Sequence, residues 1–99
     1  MTIRKYLKHP IVPTELGRRV LRARLSLRET QKEFAERMRV SNITIYNWEN
    51  GRTERINKIH REMLDTLIKQ LKAGGIYMPD EAFQTVYRTQ MESRGNALA

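Results

Sequence analysis

Cysteine is absent from this 99-residue chain. Neither a disulfide nor a thiolate metal site can brace it, and a domain of this size buries only about two-thirds of its unfolded surface, so packing alone must hold it. No run of about 18 apolar residues occurs, which argues against a membrane-spanning helix. The start, Met1 to Pro10, has neither the apolar stretch nor the small-residue cleavage site of a secretory signal, and the chain is expected to work in the cytoplasm. It also lacks a Gly-x-x-x-x-Gly-Lys phosphate loop. Only His9 and His60 could act as imidazole bases, one in the amino-terminal stretch and one on a helix. Two histidines with no clear carboxylate constellation make a poor metal site, so no enzyme, metal or cofactor is expected.

Acidic residues are nearly missing from positions 1–28, where Glu15 alone stands against eight Lys and Arg. That segment carries +7 of the formal +8, while residues 29–54 come to −1, 55–73 to +3 and 74–99 to −1. Such a surface attracts nucleic acid, but it also attracts membranes and acidic proteins, so charge alone leaves the partner class open.

Residues 1–13 hold Pro10 and Pro13, scattered basic side chains and no hydrophobic period, which reads as a basic arm. Thr14 is a plausible N-cap with Glu15 in the first turn, opening a helix over about 14–25 on Leu16, Val20, Leu21 and Leu25. Thr30 with Glu33 forms a capping-box pattern for a second helix with Phe34, Ala35 and Met38 inward, stopping near Arg39. Ser41 caps a third, with Ile45 and Trp48 inward and Gly51 as its left-handed stop. A fourth runs from about Arg55 to Ala73 on the stripe Ile56, Ile59, Met63, Leu64, Leu67, Ile68 and Leu71. Residues 14–73 thus form the main domain and 74–92 an extension. Ala82, Phe83, Val86, Tyr87 and Met91 suit a helix there, whereas Ile76–Met78 and Thr85–Thr89 suit a short hairpin. Ser93–Ala99 reads as a disordered tail.

Two short helices joined by a tight turn have the size and spacing of a helix-turn-helix. Ala35 sits where the two would cross, Val40 plugs the turn, and Ile45 and Trp48 seat the second helix on the core. At 100° per residue, that seating sends Asn42, Ile43, Tyr46 and Asn47 outward and Thr44 to the flank. An outward isoleucine and tyrosine gain little in water. Against a major groove, asparagine can pair with adenine and an apolar group can meet the thymine methyl. The competing reading buries Ile43 and Tyr46 against the arm or a partner chain.

The stretch Thr30 to Gly51, with Thr-Gln at one helix start, Phe-Ala in its middle and Glu-x-Gly at the end of the next, resembles the Cro/C1-type, or XRE, family of helix-turn-helix regulators. The likeness is tight over these 22 residues and looser over about 16–71. It implies a mostly α, lambda-repressor-like bundle of about four to five helices. By this resemblance Gln31 holds a phosphate, with Ser41 and Arg52 contacting the backbone, while Asn42, Ile43, Thr44 and Asn47 read bases and Tyr46 reaches base or phosphate. Glu49 would be a buried acid paired with Arg24 or Arg22 of the first helix. The chain departs from the family at Arg39, where glycine is usual, and in the Leu25–Glu29 connection, where Leu27 takes the apolar role. It also carries one long helix over 53–73 in place of two short ones.

One such module covers about one half-site, so symmetric dimers on palindromic DNA are the usual arrangement. The dimer surface is expected on Ile56, Ile59, Met63, Leu67 and Leu71 or on the Tyr77–Met91 segment. Arg4, Lys5 and Lys8 of the arm are expected along phosphates or in the neighbouring minor groove. The expected function is therefore a double-stranded DNA-binding transcriptional regulator, a repressor acting as a homodimer. The alternative is a protein-interaction module on the same fold, such as an antitoxin-like partner of another protein.

Overall fold

The structure is a computed structural model that describes residues 13–98, with side chains described through residue 90. The described residues contain five helices and no strand: α1 Glu15–Ser26, α2 Gln31–Met38, α3 Asn42–Glu49, α4 Lys58–Ala73 and α5 Asp80–Leu98. Each of the first four opens on a side chain that accepts a backbone N–H left unpaired by helix geometry. Thr14 Oγ1 takes Gly17 N at 2.9 Å, Thr30 and Glu33 complete a reciprocal capping box, Ser41 Oγ takes Thr44 N, and Asn57 Oδ1 takes His60 N at 2.8 Å.

The helix ends are equally regular. After α1, α2, α3 and α4 the chain makes the same paired closure: Glu29 N to Arg24 O, Val40 N to Ala35 O, Arg52 N to Asn47 O, and Ile76 N to Leu71 O, each beside a bond from the preceding residue's N–H to the carbonyl three residues before it. This closure needs one left-handed residue. Those residues are Arg28 (φ 56°), Arg39 (φ 58°), Gly51 (φ 71°) and Gly75 (φ 72°). Arg39 therefore keeps a left-handed turn that glycine would make freely, at a steric cost of about 1–2 kcal/mol.

The main core joins α1 to α4 through Val20, Ala23, Phe34, Ala35, Met38, Ile45, Trp48, Leu64, Ile68 and Leu71, with Leu27 and Val40 packed at its edge. A second, smaller core lies on the other flank of α1, where Leu21 meets Phe83 and Tyr87 of α5. Gly17 allows α1 to cross the end of α3 directly. A Cβ there would sit 2.7 Å from the Trp48 carbonyl oxygen and 3.2 Å from that of Glu49, so backbone meets backbone.

Two expectations from sequence change, and one open choice is resolved. The fourth helix starts at Lys58, not near Arg55, because the chain before it is committed elsewhere: the Arg55 carbonyl accepts the Trp48 indole N–H at 3.0 Å and the Arg55 amide bonds Thr53 Oγ1. The carboxy-terminal segment is helical and makes no hairpin. Asp80 and Glu81 fill its first turn, where the helix dipole favours negative charge, and Phe83 N closes on Pro79 O. That helix then continues to Leu98 through the stretch expected to be a disordered tail, since extending a formed helix costs far less than starting one.

Within the basic cluster, the described arginines of α1 are engaged by the rest of the fold. Arg19 pairs with Asp65 of α4. Arg22 donates through Nε to the Met78 carbonyl at 2.8 Å, lies 3.5 Å from Asp80 and stacks 4.4 Å from the Tyr77 ring centroid. Ser26 Oγ accepts the Met78 N–H at 2.7 Å, so the backbone of Met78 is tied to α1 on both sides. Arg18 lies over the Tyr87 ring. These arginines hold α4 and α5 onto α1 and leave less of the cluster for a partner. Burial pushes the Tyr77 phenol up, and the nearby Arg22 and Arg19 charges draw it partly back.

Candidate nucleic-acid interface

α3 is built to be held by one side. Ile45 and Trp48, three apart, are buried to 0% and 3% exposure, and Trp48 also meets the His60 ring edge-on. His60 is thus packing material beside the indole. On the opposite side Asn42 is exposed and Ile43 is 58% exposed, one of three large apolar side chains left open to solvent among the described residues. Thr44, Tyr46 and Asn47 are half-buried. The outward set is therefore narrower than the 100° geometry alone suggests, because the cross-section of α3 is wrapped beyond its two anchors.

Asn47 carries a further constraint. Its Oδ1 is buried and has no hydrogen-bond partner. Bidentate pairing with adenine needs that oxygen as an acceptor, so the amide must turn to use it. An unsatisfied buried acceptor costs about 1–3 kcal/mol, and turning toward a donor would recover it. Asn50, only 2% exposed, was not singled out from sequence; its Nδ2 donates to the Tyr46 carbonyl at 2.7 Å and closes the end of α3.

The hydroxyls at the amino end of α3 are internally satisfied. Ser41 Oγ caps Thr44 N at 3.2 Å and lies 2.9 Å from Thr44 Oγ1, so both hydroxyls are partnered with each other. Past the carboxy end, Arg52 is exposed, and among the described residues its guanidinium has no hydrogen bond or ion pair.

The orientation of α3 is set by a charged clamp. Glu49, 8% exposed, receives Arg24 Nε at 2.6 Å and Nη2 at 3.0 Å, a bidentate pair, and also the Gln31 side-chain amide at 3.1 Å. Arg24 Nη1 reaches on to the Glu29 carbonyl at 2.9 Å. Of the two arginines that sequence left open as partners, Arg24 occupies the site and Arg22 serves α5. Helices α1, α2 and α3 meet at this one carboxylate. Gln31, expected on a phosphate, spends at least one amide hydrogen on Glu49 and so is positioned by the clamp. Beside it, the Glu29 carboxylate accepts three hydrogen bonds from Arg37, at 2.6, 3.0 and 3.2 Å, and that partnership raises the Arg37 guanidinium above its ordinary value. The Thr30 backbone and side-chain hydrogen bonds hold the Glu33 carboxyl below its usual range.

Ala35 is buried where α2 faces the core, and Val40 is half-buried in the turn. Arg4, Lys5 and Lys8 lie outside the described residues. No group of three or more His, Cys, Asp or Glu is placed to hold a metal among the described residues, and no helix there is long and apolar enough to cross a membrane.

Two short helices crossing at a small residue, the second seated by its inner flank and open on its outer one, define a helix-turn-helix DNA-binding domain. The Helix-turn-helix family model matches residues 21–59, from the middle of α1 to the start of α4. The match supports a DNA-binding helix-turn-helix of the Cro/C1 type, the XRE family, over those residues. Searches of curated proteins and of solved structures gave no match.

Proposed function

We propose that this protein is a sequence-specific transcriptional repressor that binds palindromic operators as a homodimer in the cytoplasm, with α3 in the major groove. The observation that carries the reading is the two-sidedness of α3: buried Ile45 and Trp48 on one flank, exposed Asn42 and Ile43 on the other. Asn42, Ile43, Thr44, Tyr46 and Asn47 read base edges, while Gln31, Ser41 and Arg52 hold phosphates together with Arg4, Lys5 and Lys8 of the arm. The Glu49 clamp fixes the angle at which the reading helix enters.

For the dimer, the exposure of the apolar side chains supports one surface over the others. Leu71 is buried, Phe83 and Tyr87 are consumed by α1, and Ile56, half-buried at the core edge as Met63 and Leu67 are, faces a different hollow beside Leu16 and Leu64. That leaves Ile59, at 69% exposure, with Met63 and Leu67 beside it in a groove of about 450 Å³ between α2 and α4. We assign this face to the second copy.

Selection of bound fragments from random DNA tests the reading, since it should return a half-site repeated with two-fold symmetry. Substitution of Ile43 or Asn47 should then relax preference at one base position at a cost of about 1–3 kcal/mol, whereas Arg52→Ala weakens all sequences alike. Equal losses on selected and random DNA for all three variants contradict these roles. Absence of any salt-sensitive duplex binding at low salt would favour a protein-interaction module instead.

A further inference from the structure

Four helices end in the same left-handed closure, but they do not use the same residue for it. Gly51 and Gly75 fill the two closures that follow α3 and α4. The two that lead into α2 and α3 carry Arg28 and Arg39 instead. Glycine adopts this conformation freely and arginine does not, so the chain accepts strain at these two turns and avoids it at the others.

The two arginine turns are also copies of each other in spacing. Arg28 stands two residues before the cap Thr30, and Arg39 two residues before the cap Ser41. Both side chains are exposed, and among the described residues neither guanidinium has a hydrogen bond or an ion pair. Arg19, Arg22, Arg24 and Arg37 by contrast all pair with carboxylates. Beyond the backbone closure itself, no guanidinium hydrogen bond or ion pair among the described residues therefore offsets the strain at Arg28 and Arg39.

We propose that Arg28 and Arg39 bind backbone phosphates of duplex DNA at the two turns that bracket α2. The proposal rests on the DNA-binding reading above. A guanidinium beside the first turn of α2 or α3 adds a full charge and a donor fork to the partial positive charge already gathered there by unpaired N–H groups. The contact is sequence-independent, so these residues set grip and register while α3 reads bases.

The test uses the full chain, a labelled random-sequence duplex of about 20 base pairs, and fluorescence anisotropy between about 50 and 200 mM salt. Arg28→Gly and Arg39→Gly should each lower the slope of log affinity against log salt by about 0.9, and the double variant by about twice that. Their thermal midpoints should not fall below the parent's, because glycine relieves the turn. Arg39→Lys, which keeps charge and strain, should retain most of the slope. Unchanged slopes in a parent that binds would overturn the proposal while leaving the DNA reading intact, and so would a lowered midpoint or a lysine variant as weak as the glycine one. A parent that binds no duplex at the lowest salt overturns both.

Discussion

The Arg24–Glu49 clamp invites a complete thermodynamic cycle, because its members are buried, bidentate and shared by three helices. The Arg24 and Glu49 side chains retain 13% and 6% of their exposure. Arg24→Met leaves the Glu49 carboxylate buried with only the Gln31 amide, and also frees the Glu29 carbonyl that Arg24 capped. Leaving such a charge without its partner costs about 3–5 kcal/mol. For a domain whose whole stability is about 5–15 kcal/mol, that is a large share, and it corresponds to a fall of about 15–30 °C in thermal midpoint. Glu49→Leu should cost a comparable amount by stranding the guanidinium. The double variant removes both charges together, so it should recover most of the loss and can equal the parent. Urea denaturation followed by circular dichroism reads all four corners, with an unchanged m-value showing that the unfolded state is not the cause. If either single change costs no more than a surface substitution, about 0.5 kcal/mol, the clamp does not hold α3 and the account of its orientation fails.

Gly17→Ala should destabilise by about 1–3 kcal/mol, since the new methyl meets the Trp48 carbonyl and backbone cannot yield as a side chain does; a neutral or stabilising result in the same urea titration would show that α1 and α3 are not in direct contact. Ile59→Lys should weaken dimer formation without lowering the thermal midpoint of the monomer, given the 69% exposure of Ile59, and sedimentation at several concentrations would show it; an unaltered association constant removes this face from the interface. Glu33 has a lowered carboxyl in the fold, so its contribution is fully present above its ordinary value near 4.5 and is lost as pH falls through the lowered one. The difference in thermal midpoint between parent and Glu33→Gln should accordingly shrink on going from pH 6 to about pH 3, and a difference that grows would reverse the sign of the argument.

Much of this architecture was legible because its signals act over three or four residues. The caps at Thr14, Thr30 and Ser41, the stops at Arg39 and Gly51, and the inward pair Ile45 and Trp48 are all decided by local hydrogen bonding and by 100° periodicity. Around α4, partners outside the local sequence intervened. The start of α4 moved because an indole seven residues upstream takes the Arg55 carbonyl, and the apolar stripe on α4 divided because Ile59 lies in its first turn, away from the core. Gly17 carried no local sign of the carbonyl it must admit.

Amino-acid order by itself determined that this chain forms short capped helices with a helix-turn-helix between Thr30 and Gly51, since those choices need only neighbouring residues. Which arginine meets Glu49, how the remaining basic side chains divide between holding helices and facing outward, and how much of α3 stays open were decided only by tertiary structure. Charge and hydrogen-bonding capacity are written in the sequence, but the distances over which they act exist only once the helices have crossed.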